Sequence, residues 1–168
     1  MTPAYIGLGS NLGHPRRQLA RALRALSRLP RTQLVAVSPN YATAPQEVAS
    51  RQPDYVNAVV AIDTALAPRA LLARLQAIER RQHRKRSANE RNAPRTLDLD
   101  LLLFGRRRVQ VRDLSIPHPR MHARAFVLRP LADIAPSLSI PGRGPVKRLL
   151  RSVTDQRVVR TRTHRVTG

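Results

Sequence analysis

The sequence predicts an α+β domain, an antiparallel sheet with helices packed on it, and three observations carry that prediction. Two stretches, residues 16–29 and 68–82, space their apolar residues as amphipathic helices do. Four others have the β-branched or alternating character of strands, and the elements follow one another as strand, helix, strand, strand, helix, strand. A chain of 168 residues with 42% hydrophobic composition encloses one ordinary core, so the sequence reads as a single domain.

Tyr5-Ile6-Gly7-Leu8-Gly9 is the first strand, and Ser10-Asn11-Leu12-Gly13 is the glycine-punctuated turn that follows it. In the first helix Leu19, Ala22, Leu23, Leu26 and Leu29 form one stripe, with Arg17, Arg21, Arg24 and Arg28 opposite. Residues 34–38 and 55–62 form a hairpin joined by a long loop over residues 44–54. Pro68 opens the second helix, whose apolar face is Leu71, Leu72, Leu75 and Ile78 and whose end falls near Gln82. An arginine-dense loop from His83 to Arg95 leads to Thr96-Leu97-Asp98-Leu99-Asp100-Leu101-Leu102-Leu103-Phe104, which alternates at first and then becomes continuously apolar. This order is that of the ferredoxin-like βαββαβ arrangement, with the helices expected on one side of the sheet. Further on, Ile116-Pro117-His118-Pro119 reads as a loop, and residues 123–134 as a short helix broken by Pro130. The domain is expected to span residues 1–155, with 156–168 a basic tail that is expected to be disordered from Arg157.

The absence of cysteine excludes disulfides and thiolate metal sites. The amino terminus lacks the pattern of a signal peptide, and no apolar run has membrane-spanning length, so a cytoplasmic protein without membrane contact is expected. A formal charge of +21 suits a polyanionic partner such as a nucleotide, a nucleic acid or a lipid surface, although an arginine-rich composition with only two lysines, Lys85 and Lys147, has a compositional explanation too. Aromatic residues make up 3% of the chain, which leaves few stacking platforms for single-stranded nucleic acid. A non-catalytic RNA-binding module on a ferredoxin-like sheet is therefore the secondary reading.

Asp98 and Asp100 are the sharpest local signal. Two residues apart on a strand, their side chains leave the same face with Cα atoms about 6.5 Å apart, a spacing at which two carboxylates can share hard divalent cations completed by water and phosphate oxygens. Aspartate is disfavoured in strands, and two like charges on one face repel unless something positive lies between them. Arg84, Arg86, Arg91 and Arg95 in the preceding loop, and Arg124 later, offer the guanidinium forks that suit phosphate. Glu79 falls on the apolar stripe of its helix, where support of a metal site and pairing with Arg80 or Arg84 are both open. His118, held between two prolines, is placed to donate to a phosphate. There is no phosphate-binding loop of the Walker type and no protein-kinase catalytic set, and Gly7 to Gly13 has the wrong spacing for a dinucleotide fingerprint.

The twelve residues from Arg91 to Leu102, Arg-Asn-Ala-Pro-Arg-Thr-Leu-Asp-Leu-Asp-Leu-Leu, resemble the signature of the 6-hydroxymethyl-7,8-dihydropterin pyrophosphokinase family. Residues 6–13, 52–58, 116–119 and 124–128 look like the same family and occur in the same order, so the resemblance covers about residues 4–150. The sequence departs from the commoner pattern at His83, where many relatives have glycine, and at Asn92, where some have tryptophan.

The resemblance implies a transferase in which the pterin hydroxymethyl oxygen attacks the β-phosphorus of the co-substrate ATP and AMP leaves. It implies that Asp98 and Asp100 bind two Mg²⁺ ions, with Arg84 and Arg95 joining them in catalysis. Gln76, Glu79 and His118 would line the nucleotide site, and Arg86 and Arg124 would contact phosphate. Tyr55 and Phe126 match the aromatic pair that sandwiches the pterin ring, Asn57 the amide that reads its polar edge, and Thr43 with the backbone near Gln46 completes that pocket. A monomer that binds ATP and the pterin is the expected form. The loop between Arg84 and Arg95 is expected to close over ATP.

Overall fold

The computed structural model describes residues 1–11, 13–43, 55–84 and 97–161. In chain order the first elements are β1 (Thr2–Ser10), α1 (Pro15–Ser27), β2 (Thr32–Val37), β3 (Tyr41–Thr43), β4 (Tyr55–Thr64), α2 (Pro68–Arg84) and β5 (Asp98–Phe104). The hairpin strands β6 (Val109–Val111) and β7 (Leu114–Ile116) follow, then a 3-10 turn (Met121–Ala123) and α3 (Ala125–Ile134). The last elements among the described residues are β8 (Ser139–Ile140), β9 (Gly144–Pro145), α4 (Val146–Arg151) and β10 (Val159–Arg160).

The main sheet is antiparallel and its centre is β1, flanked by β4 and β5. The far edge of β4 is shared lengthwise: β2 pairs with its later residues and β3 with Tyr55, Val56 and Asn57, which joins β2 to β4 as the expected hairpin. Beyond β3, Val159 pairs with Ala42 and Arg160 with Tyr41. Residues 157–161, part of the stretch expected to be disordered, are thus ordered, because a short edge strand offers them backbone partners.

Helices cover both faces of this sheet, which corrects the expectation of helices on one side. On one face Ile6 and Leu8 of β1, Val60 and Ile62 of β4, and Leu99 and Leu101 of β5 pack with Leu19 and Leu26 of α1 and Leu71 and Leu75 of α2. On the other, Val59, Leu102 and Leu103 pack with Val127, Leu128 and Leu131 of α3, and with Met121 and Val146. Side chains alternate across a strand, so the unbroken burial of β4 from Val56 to Ile62 requires a layer on each side. The continuously apolar end of β5 has an added cause. The β1–β5 register shifts between Tyr5, opposite Leu103, and Ile6, opposite Leu101, and this irregularity lets Leu102 and Leu103 both enter the α3-side core.

α3 runs unbroken through Pro130, a second departure from expectation. An interior proline costs about 3 kcal/mol through its missing N–H and its clash with the preceding turn. Burial of Val127, Leu128 and Leu131 together with the proline ring outweighs that cost, since a fully buried aliphatic side chain contributes roughly 1.5–3 kcal/mol. α3 is tied to the sheet edge where the Tyr41 hydroxyl donates to the Asp133 carboxylate. Leu128 is fully buried, and Leu128→Ala should lower unfolding free energy by about 2–5 kcal/mol in a denaturant titration. Val35, 57% exposed on β2, should tolerate serine within about 0.5 kcal/mol.

Candidate active site

β1 carries no side chain at Gly7 or Gly9, and both glycines lie on the α3 face of the sheet, the face opposite Ile6 and Leu8. In the pairing register Gly9 stands between Asn57 of β4 and Asp98 of β5, and Gly7 between Val59 and Asp100. The missing side chains leave a floor that runs from the amide on one strand to the carboxylates on another. Above this floor stand Arg124, Phe126 and Val127 at the start of α3, and the space enclosed is a cavity of about 490 Å³.

Tyr55, Asn57, Thr43, Asp98, Asp100, Arg124 and Phe126 all line this one cavity, so seven of the residues singled out from sequence are brought together. Asn57 is 7% exposed, and its Nδ2 donates to Thr43 Oγ1 at 3.0 Å, which fixes the orientation of the carboxamide. The Arg124 guanidinium carbon lies 5.4 Å from the centroid of the Phe126 ring, a cation–π contact that holds the cation beside the aromatic wall. Asp98 and Asp100 are both half-buried on β5, while Leu97, Leu99 and Leu101 are anchored in the opposite core. That anchoring fixes the two carboxylates on the cavity side, because slippage by one residue would bury acids and expose leucines.

His118 does not line this cavity. It borders a separate hollow of about 320 Å³ together with Arg108, Ser115, His122 and Arg143. Its backbone N–H donates to Leu102 C=O at 2.9 Å, which ties the loop after the cis Ile116–Pro117 peptide to β5. Burial holds the His118 imidazole below its ordinary range; Arg124 and Arg120 act in the same direction, and Asp100 opposes them. The Arg120 backbone N–H donates to Nδ1 at 3.2 Å, which leaves the ring proton on Nε2.

Gln76 and Glu79 lie on α2, the first exposed and the second half-buried, and neither lines the larger cavity. Arg84 closes α2, so the helix extends two residues past its expected end, and its side chain lies outside the described part. Gln46, Arg86, Arg91 and Arg95, with the loop expected to close over a nucleotide, lie outside the described residues.

Gly7, Gly9, Gln156, Arg157 and Val158 also line the cavity and were assigned no role from sequence. For the glycines the signal was present in the spacing, since a strand reading of residues 5–9 puts both on one face. A Cβ on Gly9 would lie 2.9 Å from Asn57 Oδ1, whereas one on Gly7 would meet Leu102 at 3.5 Å, an ordinary contact. Gly9→Ala should therefore cost about 1–3 kcal/mol by displacing a carboxamide already bonded to Thr43, and Gly7→Ala clearly less, as read from denaturant midpoints.

The donor chemistry suits a hard divalent cation. Two carboxylates share one face of the cavity. Such a pair matches Mg²⁺, which keeps several waters and takes one or two carboxylates plus phosphate oxygens.

The sequence profile of the 7,8-dihydro-6-hydroxymethylpterin-pyrophosphokinase (HPPK) family matches residues 5–136. The 2-amino-4-hydroxy-6-hydroxymethyldihydropteridine pyrophosphokinase of Pseudomonas aeruginosa is 56% identical over 137 residues, covering 82% of this chain and 83% of the relative. The protein of the same name from Haemophilus influenzae is 45% identical over 160 residues, covering 95% and 98%. Among solved structures, wild-type HPPK-DHPS of Plasmodium falciparum crystallised with SDX-DHP superposes with a TM-score of 0.69 at 14% identity, over 92% of this chain. The chain spans 44% of that longer protein, and at this identity the likeness shows the fold.

Proposed function

The chain belongs to the 7,8-dihydro-6-hydroxymethylpterin-pyrophosphokinase family, and from that premise we propose that it transfers the pyrophosphoryl group of ATP to 6-hydroxymethyl-7,8-dihydropterin in folate biosynthesis, releasing AMP. The observation that carries this reading is one cavity lined both by two aromatic side chains with a buried amide on β4 and by two carboxylates on β5. A flat heterocycle fits the first and a metal-bound polyphosphate the second.

Tyr55 and Phe126 flank the pterin ring, where stacking adds about 0.5–1.5 kcal/mol beyond area burial. Asn57, oriented by Thr43, offers a donor and an acceptor to the ring's guanidine-like edge, and the backbone near Gln46 completes the contact. Asp98 and Asp100 would hold two Mg²⁺ ions, which supply neutralisation of the triphosphate charge. Arg84, Arg86, Arg95 and Arg124 orient the phosphates and stabilise charge on the transferred group, while Gln76, Glu79 and His118 hold the nucleotide. Catalysis is positioning and electrostatics: the hydroxymethyl oxygen forms a bond to the β-phosphorus as the bond from that phosphorus to the bridging α-phosphate oxygen breaks, AMP leaves and the hydroxyl proton passes to solvent. No side chain is assigned as a general base.

The finer features belong to the same reading. The order β5-β1-β4-β2 and the antiparallel pairing support a ferredoxin-like core within residues 1–155. No helix among the described residues is long and apolar enough to cross a membrane, and we read the protein as a cytoplasmic monomer. Incubation with ATP, the pterin and Mg²⁺ tests the proposal: AMP and a pyrophosphorylated pterin should form in equal amounts. Release of ADP, or no consumption of ATP, would refute it.

A further inference from the structure

We infer that Gln156, which lies beyond the family match ending at residue 136, is a positioning residue that sets Phe126 for the pterin and Arg124 for the phosphates beside it. Its carboxamide brackets the turn that carries them. Oε1 accepts from the Ala125 backbone N–H at 2.9 Å, and Nε2 donates to the Ala123 backbone C=O at 2.9 Å.

Ala125 is the first residue of α3, and its N–H is one of the helix-end donors with no partner inside the helix. Arg124 occupies the cap position, yet its side chain makes no capping bond. Gln156 supplies that cap from 31 residues away in sequence, and the second bond makes the clamp two-pointed, so the peptide planes on both sides of Arg124 are fixed. Arg124 and Phe126, the two side chains joined by the cation–π contact, leave this clamped segment into the cavity, whose wall Gln156 also forms.

The clamp is itself held at both ends. On one side the Gln156 N–H donates to Val153 C=O at 3.1 Å, next to α4; on the other, Val159 and Arg160 pair with β3, and the Thr161 N–H donates to Asn40 C=O at 2.9 Å. Val158, half-buried, packs against the α3-side core. β3 also carries Thr43, the partner of Asn57, so the segment from Gln156 to Thr161 links the aromatic wall of the cavity to its amide floor.

The inference rests on the proposed function, and wild-type turnover separates the two: absence of AMP formation by the unaltered chain overturns the function itself. With wild type active, Gln156→Leu removes both bonds at nearly equal volume. Its KM for the pterin should rise about tenfold, consistent with two lost hydrogen bonds, and its kcat should fall through the displaced Arg124, while its KM for ATP, which the two carboxylates and the other arginines also hold, stays within about twofold. Gln156→Glu keeps an acceptor for Ala125 N–H but loses the donor to Ala123 C=O, and should fall between the two. A pterin KM unchanged in both variants, or KM values for pterin and ATP that rise together with a lowered melting temperature, would overturn the inference. If Gln156→Leu does not fold, Gln156→Glu decides by the same split.

Discussion

Asp98→Asn should reduce AMP formation by about three orders of magnitude or more while leaving the fold intact. A metal acting on phosphoryl oxygens supplies several kcal/mol of transition-state stabilisation, and each ~1.4 kcal/mol is tenfold in rate. Asp98 is half-buried on a strand whose neighbours Leu97 and Leu99 are packed in the core, so exchange of one carboxylate oxygen for an amide leaves those core anchors in place. Asp100→Asn should behave in the same way, because the two acids share one face of β5. Raising the Mg²⁺ concentration should recover part of the lost rate if the defect is in metal binding. Near-normal turnover by either variant, measured under saturating substrates with circular dichroism as the control, would remove the carboxylates from the mechanism.

Asn57→Leu should weaken pterin binding by about 100-fold or more and leave affinity for an ATP analogue unchanged. A site built to hydrogen-bond a heterocycle loses both the bonds and the desolvation of the unpaired ligand groups when its amide is removed, about 1–3 kcal/mol per group left unsatisfied. Asn57 is buried at the floor beside Gly9 and held by Thr43 Oγ1, so its geometry is preset before any ligand arrives. Titration of each variant with the pterin, followed by ring fluorescence, reads this directly. An equal loss for pterin and nucleotide would point to general damage.

Much of this site was legible in the sequence because it obeys period two. Asp98 and Asp100 alternate with Leu97, Leu99 and Leu101, and that pattern alone puts both acids on one face. Tyr55 and Asn57 sit two apart on β4 for the same reason, although their role came from resemblance rather than from spacing. What joins the two pairs was not legible. The register that sets Gly9 between Asn57 and Asp98 is a property of three strands, and no local pattern encodes it.

The layer over the cavity was hidden by Pro130. An interior proline normally ends a helix, so residues 123–134 read as a broken segment and the sheet as open on one face, although the apolar runs in β4 and β5 already required a second cover. Strands of two or three residues, such as β3, β8, β9 and β10, are too short to leave a periodic trace. Residues 156–161 misled by composition: their arginines suggest a solvated tail, while their partners include backbone groups of β3 and of the turn before α3.

The account depends on one cavity that holds a ring at the Tyr55, Asn57 and Phe126 end and a metal-bound triphosphate at the Asp98 and Asp100 end. A crystal grown with the pterin, a non-hydrolysable ATP analogue and Mn²⁺ in place of Mg²⁺ tests this through the anomalous signal of the metal. The account predicts metal peaks within coordination distance of both carboxylates, with the pterin ring between Tyr55 and Phe126. Metal and triphosphate found away from β5, or a pterin outside the aromatic pair, would contradict it.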